Sequence, residues 1–133
     1  MSKSYGNTIP LFETEKRLQK SINKIKTNLL EPGEPKDPDS STVFQIWEAF
    51  ASDHQVEDMR RAFASGIAWG EAKKKLFELV NDELAPARVR YHALMEDPGF
   101  IESELQRGAE RAREQAAALM ARVRDAVGIG PIH

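Results

Sequence analysis

The chain contains no cysteine, which removes disulfides and every thiolate metal site. Its three histidines, His54, His92 and His133, are far apart and never form an i, i+4 pair, so no metal is expected as a cofactor. His54 and His92 read as surface residues. No apolar run approaches the roughly 20 residues that span a bilayer. The N-terminus has Lys3 but no apolar stretch behind it, so no secretion signal is expected. The expected location is the cytoplasm, with no membrane partner. Strong positive charge is also missing: the formal net charge is -2. A basic domain announces nucleic acid through its overall charge; here only a local patch can carry such an argument.

What remains is a chain of 133 residues, 41% hydrophobic and 30% charged, enough for one domain with a modest core. No segment alternates convincingly as a strand, and the apolar spacing is helical almost throughout. The expected class is all-α, a helical bundle of about five helices. The first helix follows Thr8–Phe12 and runs to about Thr27, with Leu18, Ile22 and Ile25 inward. Three prolines and a glycine in Glu31–Asp39 forbid helix there. Asp39, Ser40 or Ser41 then caps a second helix that buries Val43, Phe44, Trp47 and Phe50. Ser52 with Gln55 three residues on forms a capping box for a third, with Val56, Met59 and Phe63 inward and Gly66 at its end.

A fourth helix starts near Gly70 and keeps its period from Ala72 to Leu94 across Pro86, where a kink is expected rather than a break. Asp97-Pro98-Gly99 stops it. The last helix runs from about Phe100 to Val127, with a seam of Ile101, Leu105, Ala109, Ala112, Ala116, Leu119, Val123 and Val127 open to close approach by another helix. Phe12, Phe44, Phe77 and Trp47 read as core, while Trp69, at a helix start, is open to a core or a base-stacking role.

Two groups of residues suggest chemistry. Met1-Ser2-Lys3-Ser4 with Gly6 is a small loop with a cation, two hydroxyls and a flexible backbone, suited to phosphate; the plain alternative is a solvated terminus. Lys16, Lys20 and Lys24 recur every four residues beside Arg17 and Lys26, opposite Leu18 and Ile22. That stripe faces phosphates or simply solvent. Lys73–Lys75 and Arg107, Arg111 and Arg122 are mixed with carboxylates and read as balanced surface.

Met1-Ser2-Lys3-Ser4 followed by Tyr5-Gly6-Asn7 resembles the Lys-Met-Ser-Lys-Ser loop of class I aminoacyl-tRNA synthetases. The stretches that follow resemble the tryptophanyl-tRNA synthetases in particular: Thr8–Phe12, Ile25-Lys26-Thr27, Pro35–Asp39, Trp69–Lys74 with Leu76–Leu79, Ala85–Arg88 and Gly108–Arg113. The resemblance covers the chain to about Gly128. It implies a phosphate-binding loop at 1–7, a helical tRNA (anticodon)-binding domain at 8–128 and a tail at 129–133.

It further implies that Lys3 is catalytic, stabilising charge on the pyrophosphate leaving group. Met1, Ser2, Lys3 and Ser4 would hold the phosphates of ATP, as its Mg complex, in a complete tryptophan–tRNA ligase. Lys16, Lys20 and Lys24 become candidates for tRNA contact, with tRNA(Trp) the partner. Tyr5 would pack against the preceding domain. The family's loop opens with a Lys before the Met, which this chain lacks, and no His-Ile-Gly-His-type motif or Gly-rich strand–turn–helix is present. The Rossmann catalytic domain is therefore expected to be absent and the chain alone inactive, with the parent homodimer, which pairs through that domain, not formed. The alternatives are a stand-alone tRNA-binding module and an inert remnant. Apolar surface bared on the first two helices is expected to drive self-association.

Overall fold

A computed structural model describes Ser4 and residues 8–129. Five helices make it up: α1 (Glu15–Asn23), α2 (Thr42–Phe50), α3 (Asp53–Ala64), α4 (Trp69–Glu96) and α5 (Pro98–Ala126), with no strand among the described residues. The all-α expectation holds. The chain divides into two compact units, Met1–Tyr91 and His92–His133, and the division falls within α4.

The core lies in the first unit. Leu18 and Ile22 of α1, Val43, Phe44 and Trp47 of α2, Met59 and Phe63 of α3, and Ala72, Leu76 and Val80 of α4 pack together with Ile67. Each large aliphatic or aromatic side chain buried there contributes about 1.5–3 kcal/mol. The aromatic part is directional: Phe63 meets Phe44 and Trp69 edge-on, at 5.3 and 5.6 Å between centroids. Trp47 is core, and its Nε1 donates to the carbonyl of Gln55 at 3.2 Å.

Capping sets the helix starts. Thr14, Ser41 and Ser52 accept from the backbone N–H three residues on, and the Ser52–Gln55 box forms in both directions. α3 closes in a paired turn: Gly66 N–H donates to Phe63 O and Ile67 N–H to Ala62 O, both at 3.0 Å. Gly66 is left-handed there, at φ 81°, where a residue without a side chain is favoured. α4 continues through Pro86, and Asp97 caps α5, accepting from Phe100 N–H at 3.0 Å.

Several expectations need correction. α1 ends at Asn23, not near Thr27: Lys73 Nζ on α4 donates to the Asn23 carbonyl at 3.0 Å, and Ile25 turns onto the core instead of continuing the helix. Phe12 is 41% exposed; it is not core but stacks flat on Tyr91, 4.7 Å between centroids. The α5 seam is not buried, with Leu105, Leu119, Val123 and Val127 all exposed. A single amphipathic helix has no means of covering its own stripe. The first two helices hide their apolar faces; among the described residues of the first unit, the exposed large apolar ones are Leu11, Phe12, Leu29, Val89 and Tyr91.

Candidate nucleic-acid interface

Of the residues expected to hold ATP, Met1, Ser2 and Lys3 lie outside the described residues, as does Tyr5; Ser4 is described and exposed. Two clefts in the first unit measure about 220 and 200 Å³, below the roughly 300 Å³ at which pockets for cofactor-sized ligands begin.

The lysine stripe lies wholly within the described residues. Lys16 and Lys20 lie one turn apart on α1, about 6 Å along the axis, and Lys24 continues the line as its C-cap. All three are exposed. None of them, nor Lys26, makes an ion pair among the described residues. Other cations differ: Arg17 pairs with Glu13 at 2.9 Å, Lys75 with Glu71 at 3.4 Å, Lys74 with Glu78 at 3.9 Å, and Arg107 with Glu104. Lys74 and Lys75 of α4 thus meet carboxylates on their own helix, and the α1 stripe forms no ion pair among the described residues. Lys73 adds to the C-terminal end of α1, where a cation meets the negative end of the helix dipole. Its partial burial lowers the pKa of the ammonium through desolvation.

Beyond the end of α1 the chain builds a second feature. The proline-rich segment is docked. Gly33 N–H donates to Gly66 O at 2.8 Å and Lys36 N–H to Phe63 O at 2.9 Å. Lys36 is 3% exposed; its Nζ donates to the carbonyls of Glu31 and Glu34 at 2.8 and 3.0 Å and sits 5.6 Å from the Trp69 ring centroid. A buried ammonium needs such partners. Nothing in the sequence marked Lys36 as buried; a lysine among prolines reads as solvated.

This docking leaves the cleft of about 200 Å³, lined by Lys26, Asn28, Asp37, Ser40, Thr42 and Trp69 among others. Asn28 Oδ1 accepts from Trp69 Nε1 at 3.0 Å and from Leu30 N–H at 3.2 Å. The Ser40 hydroxyl beside Asp37, then the Asp39 N–H 3.0 Å from Oδ1, hold that carboxyl below its ordinary pKa. Trp69, left open by its sequence, is half-buried, with its nitrogen committed to Asn28. Lys26 reads in the sequence only as a neighbour of the stripe, and neither Asn28 nor Asp37 stands out as a site residue, although all lie in or beside the stretches that carry the family resemblance; their convergence depends on the docked loop.

Comparison with known proteins gives a consistent result. No family model matches the chain. It is 54% identical over 132 residues to a tryptophan–tRNA ligase of Neisseria meningitidis, covering 99% of this chain and 39% of that protein. Against a tryptophan–tRNA ligase of Pseudomonas aeruginosa it is 50% identical over 129 residues, covering 97% of this chain and 29% of that protein. A crystal structure of tryptophanyl-tRNA synthetase from Campylobacter jejuni, complexed with ADP and tryptophan, superposes on 96% of this chain and 40% of its own, with a TM-score of 0.89 at 35% identity. The chain thus spans about two-fifths or less of the proteins it resembles.

Proposed function

This chain belongs to the tryptophan–tRNA ligase family, matching its C-terminal region, and we propose that it supplies the tRNA-binding part of such an enzyme. The observation that carries the reading is the unneutralised lysine stripe on α1. Unpaired lysines a helical turn apart release counterions when they meet phosphates, and that release is a large part of nucleic-acid affinity. Arg17, Arg60, Arg61, Lys74 and Lys75 of the same unit meet carboxylates; these lysines do not.

The reaction proposed for the complete enzyme is ATP-dependent joining of tryptophan to tRNA(Trp), in cytoplasmic protein synthesis. By resemblance, Lys3 with Ser2 and Ser4 serves the phosphates of ATP, Lys3 contributing the charge that stabilises the departing pyrophosphate. A loop with Gly6 suits a lid that completes a site on closing. Tryptophan and the rest of the nucleotide need a Rossmann domain, for which the five helices provide no counterpart. The isolated chain is therefore inactive, and the parent homodimer requires the same domain.

The test is titration of the purified chain with tRNA(Trp), unaltered and with a changed anticodon, at two salt concentrations. Tighter binding of the unaltered tRNA is expected. Equal, weak binding that vanishes with salt, or none, refutes a recognition role. Tryptophan-dependent pyrophosphate exchange by the chain, surviving rigorous removal of host enzyme, refutes its inactivity.

A further inference from the structure

α5 leaves a long apolar face uncovered. None of its residues is buried, and Leu105, Leu119, Val123 and Val127 are all exposed. Ala109, Ala112 and Ala116 lie between them on the same face. A contiguous apolar strip of this kind marks an interaction surface.

The order of the residues says what fits it. From Ile101 through Leu105, Ala109, Ala112, Ala116, Leu119 and Val123 to Val127, the steps are four, four, three, four, three, four and four. The series is the same from either end. Its mean step is close to the 3.6 residues of a helical turn, so the seam runs straight along one face. Its centre is residue 114, where Glu114 itself points away from the seam. A second copy laid antiparallel about that centre meets the seam residue for residue. Leu105 lies opposite Val123 of the second copy, Ala109 opposite its Leu119 and Ala112 opposite its Ala116. Ile101, half-buried already, lies opposite its Val127. Small residues at the crossing let the two backbones come close.

Charge selects the antiparallel direction. Glu102 and Glu104 border the N-terminal end of the seam, Arg122 and Arg124 its C-terminal end. Glu104 meets Arg107; Glu102, Arg122 and Arg124 make no ion pair among the described residues. At about 100° per residue, Glu102 and Arg124 fall on one flank of the seam, Glu104 and Arg122 on the other. An antiparallel two-fold sets each flank against itself. Glu102 then lies beside Arg124 of the second copy, and Glu104 beside its Arg122, each offset by about 3 Å along the axis. Symmetry doubles these to four attractive pairs, against one repulsive pair where Arg113 meets its own copy. A parallel pair sets acidic end on acidic end, basic on basic, and aligns the helix dipoles.

We propose that α5 is a self-recognition surface: two copies of this chain pair through an antiparallel α5–α5 seam centred on residue 114. The interface is isologous and closed. A strip about 39 Å long and about 10 Å wide covers on the order of 800 Å² in total, below the roughly 1,200 Å² of stable complexes. The dimer is therefore weak, with a Kd of about 10–100 µM.

Sedimentation velocity of the full chain from about 1 to 500 µM tests this, with far-UV circular dichroism as the check on folding. A monomer–dimer equilibrium in that range is expected. Leu119→Asp, which sets a carboxylate on the seam, should weaken it by about 10-fold or more. Glu102→Arg and Arg124→Glu should each weaken it by about 3–10-fold, and the two together should restore it to within about 3-fold. Because the chain has no cysteine, oxidative crosslinking gives a second readout free of charge effects. A mixture of Leu105→Cys and Val123→Cys chains should form the mixed disulfide, and Leu105→Cys alone should not crosslink. A monomer throughout overturns the proposal and leaves the face to another part of a longer enzyme. So does a dimer indifferent to Leu119→Asp, a charge swap without rescue, or ready crosslinking of Leu105→Cys to itself.

Discussion

Replacing Gly66 by alanine tests the interlock that builds the cleft. Gly66 has φ 81°, and a Cβ added there would lie 2.3 Å from the carbonyl carbon of Gly33 and 2.6 Å from its Cα and O. Those are backbone atoms, so relief requires moving the segment. Gly33 is the matched control: it too is left-handed, at φ 91°, but a Cβ there meets nothing within 4 Å. Gly33→Ala should therefore cost only the conformational term, about 1–2 kcal/mol. Gly66→Ala adds the Gly33–Gly66 hydrogen bond, about 1 kcal/mol. It also adds the partial undocking of the segment that buries Lys36, where an ammonium losing its acceptors costs roughly another 1–3 kcal/mol. The expected total is about 3–6 kcal/mol. Urea unfolding followed by tryptophan fluorescence reads the right unit, because Trp47 is in its core and Trp69 packs against it. With a urea slope of about 2 kcal/mol/M, the two midpoints should differ by roughly 1 M or more. Equal midpoints for the two variants would refute the close approach and with it the architecture of the cleft.

Three other perturbations read the stripe, a half-buried arginine and the cleft carboxylate. Changing Lys16, Lys20 and Lys24 together to alanine should lower tRNA affinity for all sequences and reduce the salt slope by about 0.7–0.9 for each phosphate no longer neutralised; an unchanged slope would mean the stripe is only solvated. Arg88 donates through Nη1 to Asn81 at 3.0 Å, while its Nε and Nη2 are buried without a partner among the described residues. Arg88→Met should therefore leave the stability of the chain to thermal unfolding unchanged or raise it by about 1–3 kcal/mol, and a clear fall would refute the assignment of those donors as unpaired. Asp37 has a folded pKa below its unfolded one, so its stabilising contribution is complete above the unfolded carboxylate pKa and fades as pH falls through the folded value; a carboxyl NMR titration giving an ordinary or raised midpoint would contradict this.

Local rules make the helices legible. Ser52 and Gln55 define a cap through two residues of sequence, and the box forms. The spacing of Val43, Phe44 and Trp47 marks the inner face of α2, and all three are buried. Phe12 and α5 depart from their sequence pattern for a shared reason. Periodicity reports which face a helix would bury and contains nothing about whether another surface arrives to cover it. Phe12 finds the flat face of Tyr91, a pairing across most of the first unit's sequence. The α5 stripe, including Leu119 and Val123, remains exposed among the described residues.

Lysine gives the sharpest case, because the sequence writes it the same way everywhere. Lys36 is buried because two prolines and a left-handed Gly33 fold the segment back on itself and turn the carbonyls of Glu31 and Glu34 toward its ammonium. Lys74 and Lys75 lie four residues from Glu78 and Glu71 on α4, and helical geometry alone brings these pairs together. Lys16 and Lys20 have no carboxylate four residues on: those places hold Lys20 and Lys24. The i, i+4 rule that neutralises α4 here sets like charges side by side, which costs α1 a few tenths of a kcal/mol per pair. A surface chosen only for solubility has no reason to accept that repulsion when glutamates serve as well. An anionic strand laid along the helix removes it.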